Sequence, residues 1–180
     1  MKKLILILTA IFALISCKNE NKTDENNTPL AAEKVIDSVF TITLNATVKK
    51  DDSFQVYYRK SSENAYTETS SVFTELKGSD KPQDIIFRLP EGIIPDFIRM
   101  DFGTNKDQSS LTINNFKMSY FGKIFQVKGV DFFKFLLVEQ KTASFDASNG
   151  IITPTTLNGN HDPQSSSEKA LYDEIQKIVK

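Results

Sequence analysis

Apolar and polar residues alternate with a period of two through much of the middle of the chain, and that rhythm predicts strands. From Val39 to Val48, Ile42, Leu44, Ala46 and Val48 alternate with Thr41, Thr43, Asn45 and Thr47, the pattern of a strand with one buried and one wet face. Lys49–Asp52 reads as a polar turn. Beyond it Phe54, Val56 and Tyr58 face opposite to Gln55, Tyr57 and Arg59, so the two segments predict a hairpin. A weaker strand is expected at 71–76. Another runs over 84–89, with Ile85, Phe87 and Leu89 on one face, and stops at Pro90, which has no N–H for a sheet ladder. Over 97–102, Ile98, Met100 and Phe102 share a face, with Arg99 and Asp101 on the other.

The segment 111–120 breaks phase. Leu111 and Ile113 are followed by Phe116, Met118 and Tyr120, so a regular strand would turn half its apolar side chains into water; a β-bulge at Asn114–Asn115 would return them to one face. Further strands are expected at 124–127 and, aromatic-rich, at 132–138. The rhythm then changes. Leu171, Ile175, Ile178 and Val179 recur at helical spacing, and Ser165 with Glu168 has the spacing of a capping box. A helix this short is marginal alone, so its stripe should dock, on the sandwich or on a partner protein. The expected architecture is all-β: an antiparallel, jelly-roll-like β-sandwich over 37–155, a linker at 156–164 and a C-terminal amphipathic helix at 165–180.

The N-terminus follows a different logic. Lys2 and Lys3 precede an apolar run from Leu4 to Leu14, with the small residue Ser16 at its end, the layout of an export signal. The run is shorter than the roughly 20 apolar residues a membrane-spanning helix needs. Leu14-Ile15-Ser16-Cys17 resembles the lipobox of bacterial lipoproteins, which implies removal of residues 1–16 and lipidation of Cys17. Membrane attachment would then run through the lipidated N-terminus, and more than one acyl chain makes such an anchor stable. From Lys18 the chain is rich in Asn, Lys, Glu and Thr with no apolar periodicity, so 17–36 reads as a flexible tether. Lys18 after the cysteine fits the outer-membrane sorting habit of some lipoproteins, on the periplasmic face or the cell surface.

Charge and cysteine usage narrow the functions. Loss of Lys2 and Lys3 leaves 20 of the 22 basic side chains against 23 acidic ones, a formal balance of −3, without the basic excess that a nucleic-acid surface needs. Cys17 is the one cysteine, so the fold has no disulfide to lean on and no thiol left for catalysis once lipid is attached.

The run Ile98-Arg99-Met100-Asp101-Phe102-Gly103, followed by Leu111-Thr112-Ile113 and Ser119-Tyr120-Phe121-Gly122-Lys123, resembles a strand-loop-strand pattern of β-sandwich modules in bacterial envelope proteins, akin to galactose-binding-like jelly rolls. With the lipobox and tether, the chain is similar to small envelope lipoproteins of Bacteroidota. That resemblance implies a fold and a location, and brings no catalytic residues.

Chemistry-bearing candidates are few. His161, the single histidine, falls in the linker with no Gly-x-Ser-x-Gly elsewhere, so a serine triad has no base in place. Glu91, Asp96, Asp101 and Asp131 are acids without a pairing that sequence can choose. The oxygen side chains of Asp101, Asn105 and Asp107 could edge a calcium site, but Lys106 and Thr112 break the EF-hand pattern; the alternative is a loop whose polar groups satisfy its own backbone. Tyr57 with Arg59, Tyr66 or Tyr120 could form an aromatic platform for a glycan, although there is no Trp and Tyr57 could instead pack beneath a loop. Asp37-Ser38-Val39 resembles a short Bacteroidota O-glycosylation motif; the plainer reading is a turn leading into the first strand. The expectation is a non-enzymatic envelope module without cofactor, binding an envelope glycan or another envelope protein. A carbohydrate-binding accessory module is the first alternative, and a hydrolase with an unrecognised carboxylate pair is the second.

Overall fold

The computed structural model describes residues 37–180. The lipobox, Cys17 and the segment 17–36 lie outside the described residues. The rest is an antiparallel β-sandwich with a C-terminal helix.

The first sheet orders β4 (Gln83–Arg88), β1 (Thr41–Thr47), β6 (Leu111–Tyr120), β10 (Ile151–Pro154) and β9 (Ala143–Asp146), with β7 (Lys123–Lys128) also paired to β6. The second orders β3 (Ser71–Leu76), β2 (Asp52–Arg59), β5 (Phe97–Asp101), β13 (Gln164–Ser167) and β8 (Leu136–Val138). The inward faces are those set by the period of two: Ile42, Leu44, Phe54, Val56, Ile98, Met100, Phe116 and Met118 are fully buried. Edge-to-face aromatic pairs bind the sheets through the core, from Phe54 to Phe102 at 6.0 Å, Phe102 to Phe132 at 6.3 Å, and Phe132 to Phe116 at 5.7 Å.

β6 carries the predicted bulge. Asn45 of β1 lies opposite Asn115 and Ala46 opposite Ile113, so Asn114 is the extra residue. Leu111, Ile113, Phe116 and Met118 all reach the core as a result. The other edge of β6 is shared: β7 pairs with Asn115–Tyr120, and β10 takes over at Leu111 and Thr112. At the handover Ile113 donates its N–H to the Gly150 carbonyl at 2.7 Å. Gly129 comes so close that a Cβ there would collide with the Ile113 carbonyl.

Three predicted boundaries need correction. The segment 132–138 is not one strand: Gly129–Phe132 forms the short helix α1, and pairing resumes only at β8. The expected linker contains the hairpin β11 (Thr156–Leu157) and β12 (Asn160–His161). The C-terminal helix α2 spans Lys169–Val179, and Ser165–Ser167, expected to open it, is a strand between β5 and β8. No side-chain cap bond forms at Glu168. β13 holds no apolar residue, so nothing in its pattern announces a strand, yet its small side chains fit an interior position: Ser165 is fully buried and the Ser167 hydroxyl accepts the Ile98 N–H at 2.8 Å. The stripe of α2 is docked on the sandwich, with Leu171, Ile175 and Ile178 buried against β6, β7 and β13.

Strand direction gives the sandwich two distinct ends. Thr41 at the start of β1 pairs with Arg88 at the end of β4 and with Ser119 near the end of β6, so the chain comes into the domain beside the β6–β7 turn. The opposite end holds the β1–β2, β3–β4 and β5–β6 connections.

Candidate functional site

The residues expected to form an aromatic platform lie on the outer face of the second sheet, where register sets Tyr57 opposite Arg99 and Arg59 opposite Phe97. Tyr57, Arg59 and Tyr66 do come together. They are largely spent on one another. Tyr57 is 5% exposed; the Arg99 guanidinium lies 4.2 Å from its ring centroid and the Tyr66 ring meets it edge-on at 6.5 Å. Its hydroxyl donates to Glu68 Oε1 at 2.7 Å. Arg59 is sandwiched between Tyr66 at 5.3 Å and Phe97 at 4.4 Å, and Phe97 stacks on Tyr172 of α2 at 5.6 Å. The 60–70 connection therefore straps the outer face shut, and a sugar ring would find the Tyr57 faces taken. Tyr120 is not part of this group: it sits at the end of β6 in the other sheet, against Phe40 at 6.0 Å and Phe121 at 4.7 Å.

The electrostatics match this closed arrangement. Burial first, then the hydrogen bond to Glu68, push the Tyr57 phenol up to about 12. Arg99 donates to both oxygens of Asp101 at 2.8 and 2.6 Å, which raises the guanidinium further. Asp101 itself moves upward, because burial outweighs the pull of Arg99.

The proposed cation ligands do not converge. Asp101 is held by Arg99. In the β5–β6 loop, Asn105 Oδ1 accepts the Asp107 N–H at 2.9 Å while its Nδ2 donates to the Asp51 carbonyl at 2.9 Å, the self-satisfied loop of the alternative reading. Its organiser is Asp52, which the sequence does not single out. Asp52 Oδ1 accepts N–H groups of Ser53, Thr104 and Asn105 at 2.9, 2.8 and 3.2 Å, and Oδ2 accepts from Gln108 Nε2 at 3.1 Å. Gly103, at φ 99°, leaves the space that this carboxylate fills. Among the described residues no three His, Cys, Asp or Glu side chains are grouped as metal ligands.

The other singled-out groups are dispersed. Asp96 takes the Ser61 N–H and hydroxyl at 2.8 and 2.6 Å, Asp131 pairs with Lys134 at 2.6 Å, and Glu91 lies in the exposed turn after Pro90. His161 does not lie in an open linker. It is half-buried in β12, its Nδ1 3.0 Å from the Thr156 hydroxyl and its Nε2 buried without a partner. Asp37 forms the plain turn into β1, accepting the Val39 N–H at 3.0 Å and both Arg88 nitrogens at 2.6 and 3.0 Å.

Two concavities stand out. Near the incoming chain, Tyr58, Arg59, Ile93, Ile94 and Pro95 line a recess of about 260 Å³. At the opposite end an open groove of about 550 Å³ runs between Asp51, Ser53, Glu75, Lys77, Thr104 and Asn105. The groove is within the volume range of small-molecule sites, and the recess is just below it. Comparison with known proteins adds no family to these features. The chain matches no family model, no curated sequence and no solved structure.

The groove draws on three separate connections, so no local pattern predicts it; of its lining, sequence reasoning singled out Asn105 alone, for a different role. Its polar side chains differ in commitment: Asp52 and Asn105 are spent on the loop, whereas Lys77 and Asp51 are tied only to each other and to the Gly78 N–H. Lys77 pairs with Asp51 at 2.7 Å, but the two side chains are 89% and 63% exposed, and such a pair is weak enough to open for a ligand.

Proposed function

We propose that the chain is a non-enzymatic, lipid-anchored envelope protein of outer-membrane type, similar to the small lipoproteins of Bacteroidota, whose sandwich is a binding or assembly module. The observation that carries this reading is polarity: the chain enters at one end, and an open groove of about 550 Å³ lies at the other. A module anchored through Cys17 would hold that groove away from the lipid. Apart from Leu76, the side chains lining the groove are polar or charged, with no aromatic floor, which favours a hydroxyl-rich or charged polar ligand that also presents some apolar surface.

Carbohydrate binding is the reading this lining favours second, and it uses the groove instead of the Tyr57 face. Hydrolysis is less well served. Asp51 is committed to Lys77 and to the Gly78 N–H, which hold it below the usual carboxylate range, and Asp52 has its oxygens filled by four donors.

The test is titration of the isotopically labelled protein with fragments of envelope polysaccharide and with envelope extracts, read by amide chemical shifts. Shifts confined to the 51–53, 75–77 and 104–105 segments, weakened about tenfold in Glu75→Ala or Lys77→Ala, support the reading. Shifts centred on Tyr57 and Tyr66, or turnover of any polysaccharide, contradict it.

A further inference from the structure

The turn between β6 and β7 breaks the ordinary rules for such turns. A two-residue hairpin of this kind needs positive φ at both central positions, and Asn-Gly or Asp-Gly is the usual pair. Here the pair is Phe121-Gly122, with φ of 46° and 77°. An aromatic residue in the left-handed region is strained by its own Cβ, and Phe121 recovers little by burial, being 54% exposed. Strain retained for a ring that finds one aromatic neighbour and leaves more than half its surface in water points to a use outside the fold.

Its surroundings indicate the use. Phe121 donates its N–H to the Asp37 carbonyl at 3.1 Å, so the hairpin tip is fastened to the place where the chain comes into the domain. Ile124, three residues on, is 59% exposed on the outer face of the same sheet, and Lys123 between them is exposed as well. Behind the tip, Tyr120 meets the Phe121 ring edge-on at 4.7 Å and itself leans on Phe40, which is fully buried, so the projecting ring is backed by a rigid aromatic stack. From Cys17 to Asp37 there are 20 steps of chain, spanning no more than about 70 Å even when extended. The corner is thus the part of the domain closest along the chain to the acyl groups.

We infer that the Phe121–Ile124 hairpin tip is a second membrane contact, inserting its two apolar side chains at the headgroup level of the bilayer with Lys123 set against anionic lipid. An aromatic ring beside a lysine is the residue chemistry of a membrane–water interface. A contact of two side chains would be too small to recruit a free protein, and it suffices here because the lipid at Cys17 keeps the surface at high local concentration. The inference rests on the lipid-anchor reading. It adds an orientation: the domain stands on this corner with its polar groove outward.

The chain has no tryptophan, so single indoles report their surroundings without background. The protein as processed in cells, in vesicles of phosphatidylethanolamine and phosphatidylglycerol at about seven to three, is compared as Phe121→Trp, Ile124→Trp and Leu157→Trp. Leu157, 52% exposed in β11 at the far end, is the control. Brominated acyl chains should quench the first two about threefold more than the control, and Lys123→Glu should lower that excess when added to either. Equal quenching at all three positions in a chain that is acylated and vesicle-bound overturns this inference alone. A chain without acyl groups, floating free of the vesicles, overturns the anchor reading and this one together. The Ile124→Trp protein, with circular dichroism of each variant, keeps the test decisive if Phe121→Trp folds poorly.

Discussion

At the residue scale the informative groups are those whose commitments differ from their exposure. Tyr57 sits on a nominal outer face yet is 5% exposed and bonded to Glu68. Its phenol titrates near 10 when unfolded and at about 12 in place. Between those values the unfolded chain loses the proton that the folded chain keeps, so this contribution to stability is complete below pH 10 and disappears as pH rises toward 12. Urea denaturation should show a fall in stability across that window, shallower in Tyr57→Phe; identical slopes would mean that Tyr57 is not closed in. Gly103 is the second such residue. At φ 99°, with the Asp52 carboxylate filling the space a Cβ would need, Gly103→Ala should cost at least about 2 kcal/mol, through backbone strain and the broken bonds of Asp52 to the loop. A denaturation midpoint unchanged by Gly103→Ala would contradict that account.

At the element scale the helix α2 is the clearest case for prediction. Ile175 is fully buried where α2 meets the sandwich, so Ile175→Ala should destabilise by about 2–5 kcal/mol, measured by chemical denaturation. A loss below about 1 kcal/mol would show that α2 contributes little to the core. That stripe was legible because its period is helical, and the β6 bulge was legible because apolar residues on both sides of Asn114 must reach one core. Other elements left no such trace. β13 is built from Gln164, Ser165, Ser166 and Ser167, and only its place between β5 and β8 makes it a strand. The run 132–138 has strand-like composition, but the close approach of Gly129 to Ile113 and the burial of Phe132 turn its start into a helical turn. The site followed the same division. Tyr57 and Arg59 could be placed on one face from alternation alone; that Tyr66 joins them, and that Arg99 and Arg59 occupy the ring faces, depends on β2–β5 register and on the 60–70 strap, neither of which is local. The far groove is assembled from three turns distant in sequence, so no window along the chain contains it.

At the scale of the whole molecule, the proposed tasks fall at opposite ends of one sandwich without disulfides. The incoming chain, the strained Phe121 and the exposed Ile124 mark the end proposed to meet lipid; Asp51, Glu75, Lys77 and Asn105 mark the end proposed to meet a ligand. This division depends on Cys17 being the attachment point, and the most direct measurement is metabolic labelling with palmitate followed by membrane fractionation of the native chain and Cys17→Ala. Label and outer-membrane association are expected in the native chain, and loss of both in the variant with the unprocessed signal retained. A native chain that is exported and folded but carries no label would contradict it.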